Sequence, residues 1–275
     1  MAHTPRTIDQ RKNKDGFPKA GELVELKPSQ ELTLQDSRIF NLLIENAGPG
    51  IAKDAWHEIA IQKLRGPKHR GSERVRDSVK RLMMTLVELP AVDRNGLPAI
   101  RTTALLSDNI ATIDEDDPRA VLRYKLTETL REIVHNSKYW ARLKGFVIFA
   151  FGSKYALALY EAVCLRVNRQ ADREFFTVQQ FRDLLHVPAG KYLPFSQLRH
   201  WVISPALVEV NGLSDFVVLV PPEREGGGVR GKLKGFSVEW RRKEPDEWGA
   251  ALDELARPRV GRKERLLGLV EEITL

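Results

Sequence analysis

The chain has 275 residues, 42% of them apolar and 29% charged, with a formal net charge of +7. That is ordinary for a globular protein and long enough for two domains of usual size. It excludes a spanning helix, since no run of about 18 apolar residues occurs, and an internal disulfide, since Cys164 is the single cysteine.

The cations are concentrated in two places. Ile61–Leu82 carries eight Lys/Arg against Glu73 and Asp77, and Arg224–Lys243 carries seven against Glu225 and Glu239. Elsewhere charges nearly cancel or turn acidic, as in Asp114-Glu115-Asp116-Asp117. Two basic stretches suggest two places where a phosphate backbone lies.

In chain order, residues 1–30 are polar, with scattered Lys and Pro and no apolar centre of a signal peptide. An N-terminal arm and a cytoplasmic location are expected. Helical spacing then runs from Leu32 to Ala47 through Ile39, Leu42 and Leu43, with Asp36 or Ser37 as cap and Gly48-Pro49-Gly50 as stop. Ala55–Leu64 reads as a short helix with Trp56, Ile59, Ala60 and Leu64 on one face. A third helix is expected where Val75, Val79, Leu82, Met83, Leu86 and Leu89 form one stripe, ended by Pro90. Arg74, Arg76, Lys80 and Arg81 fall on its other side. Residues 98–105 and 119–127 alternate like strands around the acidic loop, with Leu122, Tyr124 and Leu126 on one face of the second.

Three helices followed by a hairpin is the winged-helix order, and it recurs. Ser153–Val167 reads as an amphipathic helix with Cys164 in the core; Thr177–Leu185 is a short helix capped by Thr177; Ser196–Val210 is the third. Strands Phe216–Val220 and Leu233–Trp240 flank a glycine-rich tip. Residues 36–47 and 152–163 are faintly alike at a separation of 116, and Leu86–Leu89 and Leu207–Val210 at 121. Such a period implies domain duplication. The expected fold is α+β, two tandem winged-helix domains: arm 1–30, first domain 31–140, second domain 141–245, and tail 246–275. In the tail, Leu252, Leu255, Leu266, Leu267 and Val270 give partial amphipathicity, interrupted by Pro258 and Gly261.

Most candidate chemistry fails on spacing. Gly226-Gly-Gly-Val-Arg-Gly231-Lys232 opens like a phosphate-cradling loop, but Leu233 stands where Ser or Thr must hold magnesium. A strand pattern also follows it, where the motif needs a helix. The better reading is a hairpin tip, a wing, with Arg230, Lys232 and Lys234 near phosphates or the minor groove. His57-Glu58 lacks the second histidine of a zinc helix. No catalytic triad spacing appears, so neither enzyme activity, cofactor nor metal is expected.

The third helix of the second half carries the chemistry of base reading. Leu198, Trp201 and Val202 make one face, while Ser196, Gln197, Arg199 and His200 point elsewhere. In a helix-turn-helix the leading turns enter the major groove. Arg199 suits guanine, in a bidentate contact worth about 1–3 kcal/mol of discrimination, and Gln197 suits adenine. Pro205 removes a helical N–H, so a kink or restart is expected there.

These residues belong to a longer pattern. Ser153-Lys-Tyr-Ala-Leu-Ala-Leu-Tyr-Glu161, Thr177–Val187, Lys191-Tyr192, and Phe195-Ser-Gln-Leu-Arg-His-Trp-Val-Ile-Ser-Pro-Ala-Leu-Val-Glu-Val-Asn211 resemble the C-terminal signature of plasmid replication initiators of the Rep_3 (RepA/RepB) type. The resemblance covers about residues 150–240; the first half is similar in element order more than in motif. It implies two pseudo-symmetric winged helices that bind directly repeated origin DNA (iterons). The second domain then reads sequence, and the first adds backbone contacts, through Arg74, Arg76, Lys80 and Arg81, or forms dimers. It further implies exchange between autorepressing dimers and initiating monomers, and recruitment of the host initiator and replicative helicase. Carried over by position, the DNA-facing group is Lys191, Tyr192, Ser196, Gln197, Arg199, His200, Arg230, Lys232 and Lys234. Some relatives have a basic run where Arg199, His200 and Trp201 stand; only Arg199 is firmly cationic here. A winged-helix repressor without an initiation role is the competing reading.

Overall fold

The computed structural model describes residues 15–65, 74–167, 171–227 and 231–269. Glu73, Arg230 and Val270, named above, and Lys68 and Arg70 of the first basic stretch lie outside the described residues. Two compact units meet in sequence at Gly145/Phe146.

The N-terminal unit runs β1 (Phe17–Ala20), α1 (Gly21–Val24), α2 (Leu34–Ala47), β2 (His57–Ala60), α3 (Ile61–Arg65), α4 (Val75–Met84), β3 (Leu86–Val92), β4 (Pro98–Ala104), β5 (Leu106–Ala111), β6 (Val121–Leu126), α5 (Glu128–Asn136) and β7 (Trp140–Leu143). The expected arm is therefore folded from Phe17 onward. Phe17, Ala20, Leu23 and Val24 are buried, and β1 pairs antiparallel with β7, Phe17 opposite Leu143. The polar residues around these four hid a short apolar pattern whose partner lies over a hundred positions away.

Helix α2 is capped by Thr33 rather than Asp36 or Ser37. The Thr33 hydroxyl accepts the Asp36 N–H at 3.1 Å and the Asp36 carboxylate accepts the Thr33 N–H at 2.9 Å, a reciprocal capping box. The expected helix 55–64 is instead strand β2 followed by the single turn α3. Its apolar spacing fits either period, and the ladder to β6, Ile59 opposite Leu122, decides for a strand. Helix α4 likewise stops at Met84, because Leu86 to Val92 pair in full register with β4, from Ala104 to Pro98. This long-range ladder overrides the helical spacing of Leu86 and Leu89. Pro90, expected to end the helix, sits inside a two-stranded hairpin, where it disrupts no central strand. On β6 the alternation holds: Leu122, Tyr124 and Leu126 are buried. The Tyr124 hydroxyl donates to the Leu43 carbonyl at 2.5 Å, and burial pushes its pKa up to about 12.

The C-terminal unit runs α6 (Gly145–Ala150), α7 (Lys154–Arg166), β8 (Arg173–Thr177), α8 (Val178–Leu184), α9 (Phe195–Leu198), a π turn (Arg199–Ile203), α10 (Ser204–Leu213), β9 (Phe216–Leu219), β10 (Pro222–Arg224), β11 (Leu233–Arg242), α11 (Pro245–Ala256) and α12 (Arg262–Leu266). Helix α7 is not amphipathic: every residue from Tyr155 to Arg166 is buried, which makes it the central helix. Cys164 is 1% exposed, and burial raises its thiol pKa. Strand β11 is the sheet's centre, pairing with β8 on one edge and with β9 and β10 on the other. Phe181 and Phe236 pack at 4.5 Å between ring centres beneath it.

The two internal similarities fare differently. Residues 36–47 and 152–163 fall largely on α2 and α7, the long helix of each unit. Leu86–Leu89 is strand and Leu207–Val210 helix, so that second match is overturned. The expected tail folds too: α11 and α12 lie on either side of the break around Pro258 and Gly261, and both pack on α10.

Candidate nucleic-acid interface

Helices α8 and α9 and the turn between them are built around one arginine. Thr177 caps α8 as expected, its hydroxyl accepting the Gln180 N–H and its own N–H donating to the Gln180 side chain at 2.9 Å. The helix ends at His186, which adopts φ +52°. His186 N–H donates to Asp183 O and Val187 N–H to Arg182 O, the pair of bonds that usually places glycine at this position. The following loop folds back over Arg182, whose guanidinium donates to the carbonyls of Tyr192 (3.1 Å), Pro188 (3.1 Å) and Lys191 (2.6 Å). Arg182 is 6% exposed. Nothing in its local spacing distinguishes it from a solvated helix residue, so the sequence reading missed it.

That loop sets down Lys191, exposed, and Tyr192, half-buried at φ +51° with its ring edge-on to Tyr155. The helix expected to read bases follows without interruption through α9, the π turn and α10. Leu198, Val202, Ile203, Ala206 and Val210 are buried. Ser196, Gln197, Arg199 and His200 are exposed. Trp201, placed above on the buried face, is 58% exposed and packs edge-on against His200 at 4.6 Å. The π turn accounts for this. Its extra residue widens the turn, so spacing counted at 3.6 residues per turn assigns the wrong side there. Pro205 lies at the start of α10 immediately after the π turn, where its missing N–H costs little. Restart, rather than sharp break, is the outcome.

The hairpin of β10 and β11 stands beside the helix. Phe236 of β11 packs on Phe195 at 5.9 Å, and the Arg224 guanidinium lies 5.4 Å from the same ring. Lys232 and Lys234 are exposed. Gly231 lets the strands close: a Cβ there would fall 2.0 Å from the Glu225 carbonyl oxygen. A strand, not a helix, follows Lys232, so the phosphate-loop geometry is absent as the sequence implied.

Several residues of the signature hold the scaffold rather than face outward. Ser153 caps α7 through the Tyr155 N–H. Asn211 exchanges two hydrogen bonds with the Val218 backbone, tying α10 to β9. Glu209 accepts the N–H groups of Gly152 and Ser153 at 2.8 and 3.1 Å.

In the N-terminal unit Arg74 and Lys80 are exposed and Arg76 is half-buried. Two cations of that stretch are neutralised internally. Arg81 forms a two-pronged pair with the buried Asp36 at 2.8 and 2.9 Å. Arg65 bridges Glu115 and Asp116 at 3.2 and 2.6 Å. Glu115, from the acidic loop, accepts the backbone N–H of both Val75 and Arg76 at 2.9 Å. It thus occupies the positive end of α4, where a phosphate would otherwise sit. The four clustered acids were read as a loop only; their spacing gives no hint that one of them caps a helix forty residues earlier.

A helix presenting Gln, Arg and His from a buried footing, next to a basic hairpin, defines a winged-helix nucleic-acid-binding protein. Comparison with protein families takes this further. The family description "Initiator Replication protein, WH1" matches residues 19–164, and "Initiator Rep protein, WH2" matches residues 177–231. The chain belongs to this family of plasmid replication initiators, DNA-binding proteins with two tandem winged-helix domains and not a recognised enzyme family. No curated protein matches the chain. Among the described residues no helix is long and apolar enough to cross a membrane.

Proposed function

We propose that this initiator acts in the cytoplasm by binding directly repeated origin DNA, the iterons, and that it also represses its own gene. The observation that carries the reading is the leading half of the reading helix, where Ser196, Gln197, Arg199 and His200 are exposed on a helix anchored by Leu198 and Val202. In the major groove Arg199 takes guanine and Gln197 adenine. Lys191, Tyr192, Lys232 and Lys234 hold the flanking phosphates, joined by Arg230 beyond the described residues. In the N-terminal unit Arg74, Arg76 and Lys80 supply further backbone contacts, while the charge of Arg81 serves Asp36. The β3–β4 hairpin exposes Val92, Leu97 and Ile100; a second copy covers this apolar surface in a repressing dimer that exchanges with the initiating monomer. The host initiator and replicative helicase are its remaining partners.

Selection of duplexes from a random pool at near-physiological salt tests the reading. A non-palindromic site spanning about two helical turns is expected. An inverted repeat would favour a dimeric repressor without an initiation role. With the selected site, Arg199→Ala should relax base preference at one position, by about 1–3 kcal/mol, while Lys80→Ala weakens all sequences evenly. Equal weakening by both changes would remove α9 and the π turn as the reading element.

A further inference from the structure

Helices α11 and α12 form a clasp packed on α10, the trailing half of the proposed reading helix, beyond both family matches. Gly212 lets it seat closely: a Cβ there would lie 2.3 Å from Leu266 Cδ2. Its internal glue is one carboxylate between two guanidiniums. Glu254 accepts from Arg265 at 2.7 and 2.9 Å and from Arg262 at 3.3 Å. Arg262 also donates to the carbonyls of Ala150 and Arg257. These two arginines are therefore committed to the fold.

Arg259 and Lys263 are not. Both are exposed, and both line a cleft of about 430 Å³ whose other wall is His200, Ser204 and Pro205 of the reading helix. The acid in that cleft, Glu209, is engaged by the N–H groups of Gly152 and Ser153. Arg259 is steadied by a bond from one guanidinium nitrogen to the Phe149 carbonyl, which engages one of the five N–H donors a guanidinium carries.

We propose that the clasp is a further part of the DNA interface, with Arg259 and Lys263 binding backbone phosphates along the groove that His200 enters. The inference rests on the reading role proposed above for the helix bearing His200. A helix lying in the major groove is flanked by phosphates on both walls. Cations that share a cleft with one of its reading residues stand where such a wall passes. The contact carries no base information, so it adds affinity and fixes orientation.

The test is binding of the full chain to its selected duplex, measured from about 50 to 200 mM salt. Lys263→Ala should lower the slope of log K against log salt by about 0.9, the value for one phosphate contact, with the order of preferred sequences unchanged. Lys263→Arg should restore it. Lys263 is exposed, so an unchanged melting temperature is expected in both variants; Arg259→Gln, which keeps an N–H donor for Phe149 and removes the charge, provides the second position and should lower affinity for all sequences alike. A wild-type slope that Lys263→Ala leaves untouched overturns this proposal alone. A wild-type chain without salt-dependent binding removes the reading role and this proposal together.

Discussion

Arg182 shapes the proposed interface while itself being buried. Its three carbonyl partners all lie in the loop between α8 and α9, and two of them belong to Lys191 and Tyr192. Replacing it by methionine keeps the buried stem and removes every bond, which should cost roughly 2–3 kcal/mol in denaturant unfolding. His186 is the opposite case. It occupies a left-handed position at φ +52° in a helix-ending motif made for glycine. His186→Gly should raise the unfolding free energy by roughly 0.5–1 kcal/mol, since a side chain is penalised there and glycine is not. A fall in stability would mean that the imidazole's own contacts outweigh the backbone strain. Neither residue was legible in the sequence, because each owes its role to main-chain atoms that no side-chain pattern records.

Among elements, α2 and α4 are locked together by charge. Burial would raise the Asp36 pKa, but the Arg81 guanidinium, the Thr33 N–H and the hydroxyls of Ser78 and Thr33 outweigh it and hold the carboxyl below its usual value. A depressed acid stabilises the fold above its unfolded pKa of about 4 and loses that stabilisation as pH falls through the folded value. The N-terminal unit should therefore lose stability below about pH 4, and Asp36→Asn should flatten that part of a melting-temperature profile against pH. The same scale explains where the sequence misled. For α2, α7 and α8 the expected helix and the observed one coincide, although α7 is buried all round rather than amphipathic, because their capping residues lie next to them in sequence. For β2 and β3 they do not. Spacing such as Ile59 to Leu64 or Leu82 to Leu89 fits a helix locally, but strand β6 claims Ile59, and strand β4 claims Leu86 and Leu89, from outside the window. Trp201 was misplaced for a related reason, a change of helical period that no composition signals.

For the whole molecule, the plan of two tandem winged-helix domains was visible in order and motif, and the family match agrees. The basic stretch of the first unit overstates its free charge, because it includes Arg65 and Arg81, both neutralised within the fold. The dimer proposed for this unit has its own check. Ile100→Glu on the β3–β4 hairpin should shift the chain toward monomer in sedimentation while leaving its melting temperature nearly unchanged, since Ile100 is 70% exposed. An unchanged dimer would move the contact elsewhere.

The π turn at Arg199–Ile203 has a consequence for how such a protein changes its target. One residue there is surplus to an α-helix, and each residue in a helix turns the chain by about 100°. Deleting a single codon within the turn would let the helix close at its ordinary pitch. The anchored half, from Ala206 on, would stay put, and the leading half would swing by that angle. Phe195 would leave its seat against Phe236, and, on the proposed reading role, a different set of side chains would face the bases, with every remaining amino acid retained.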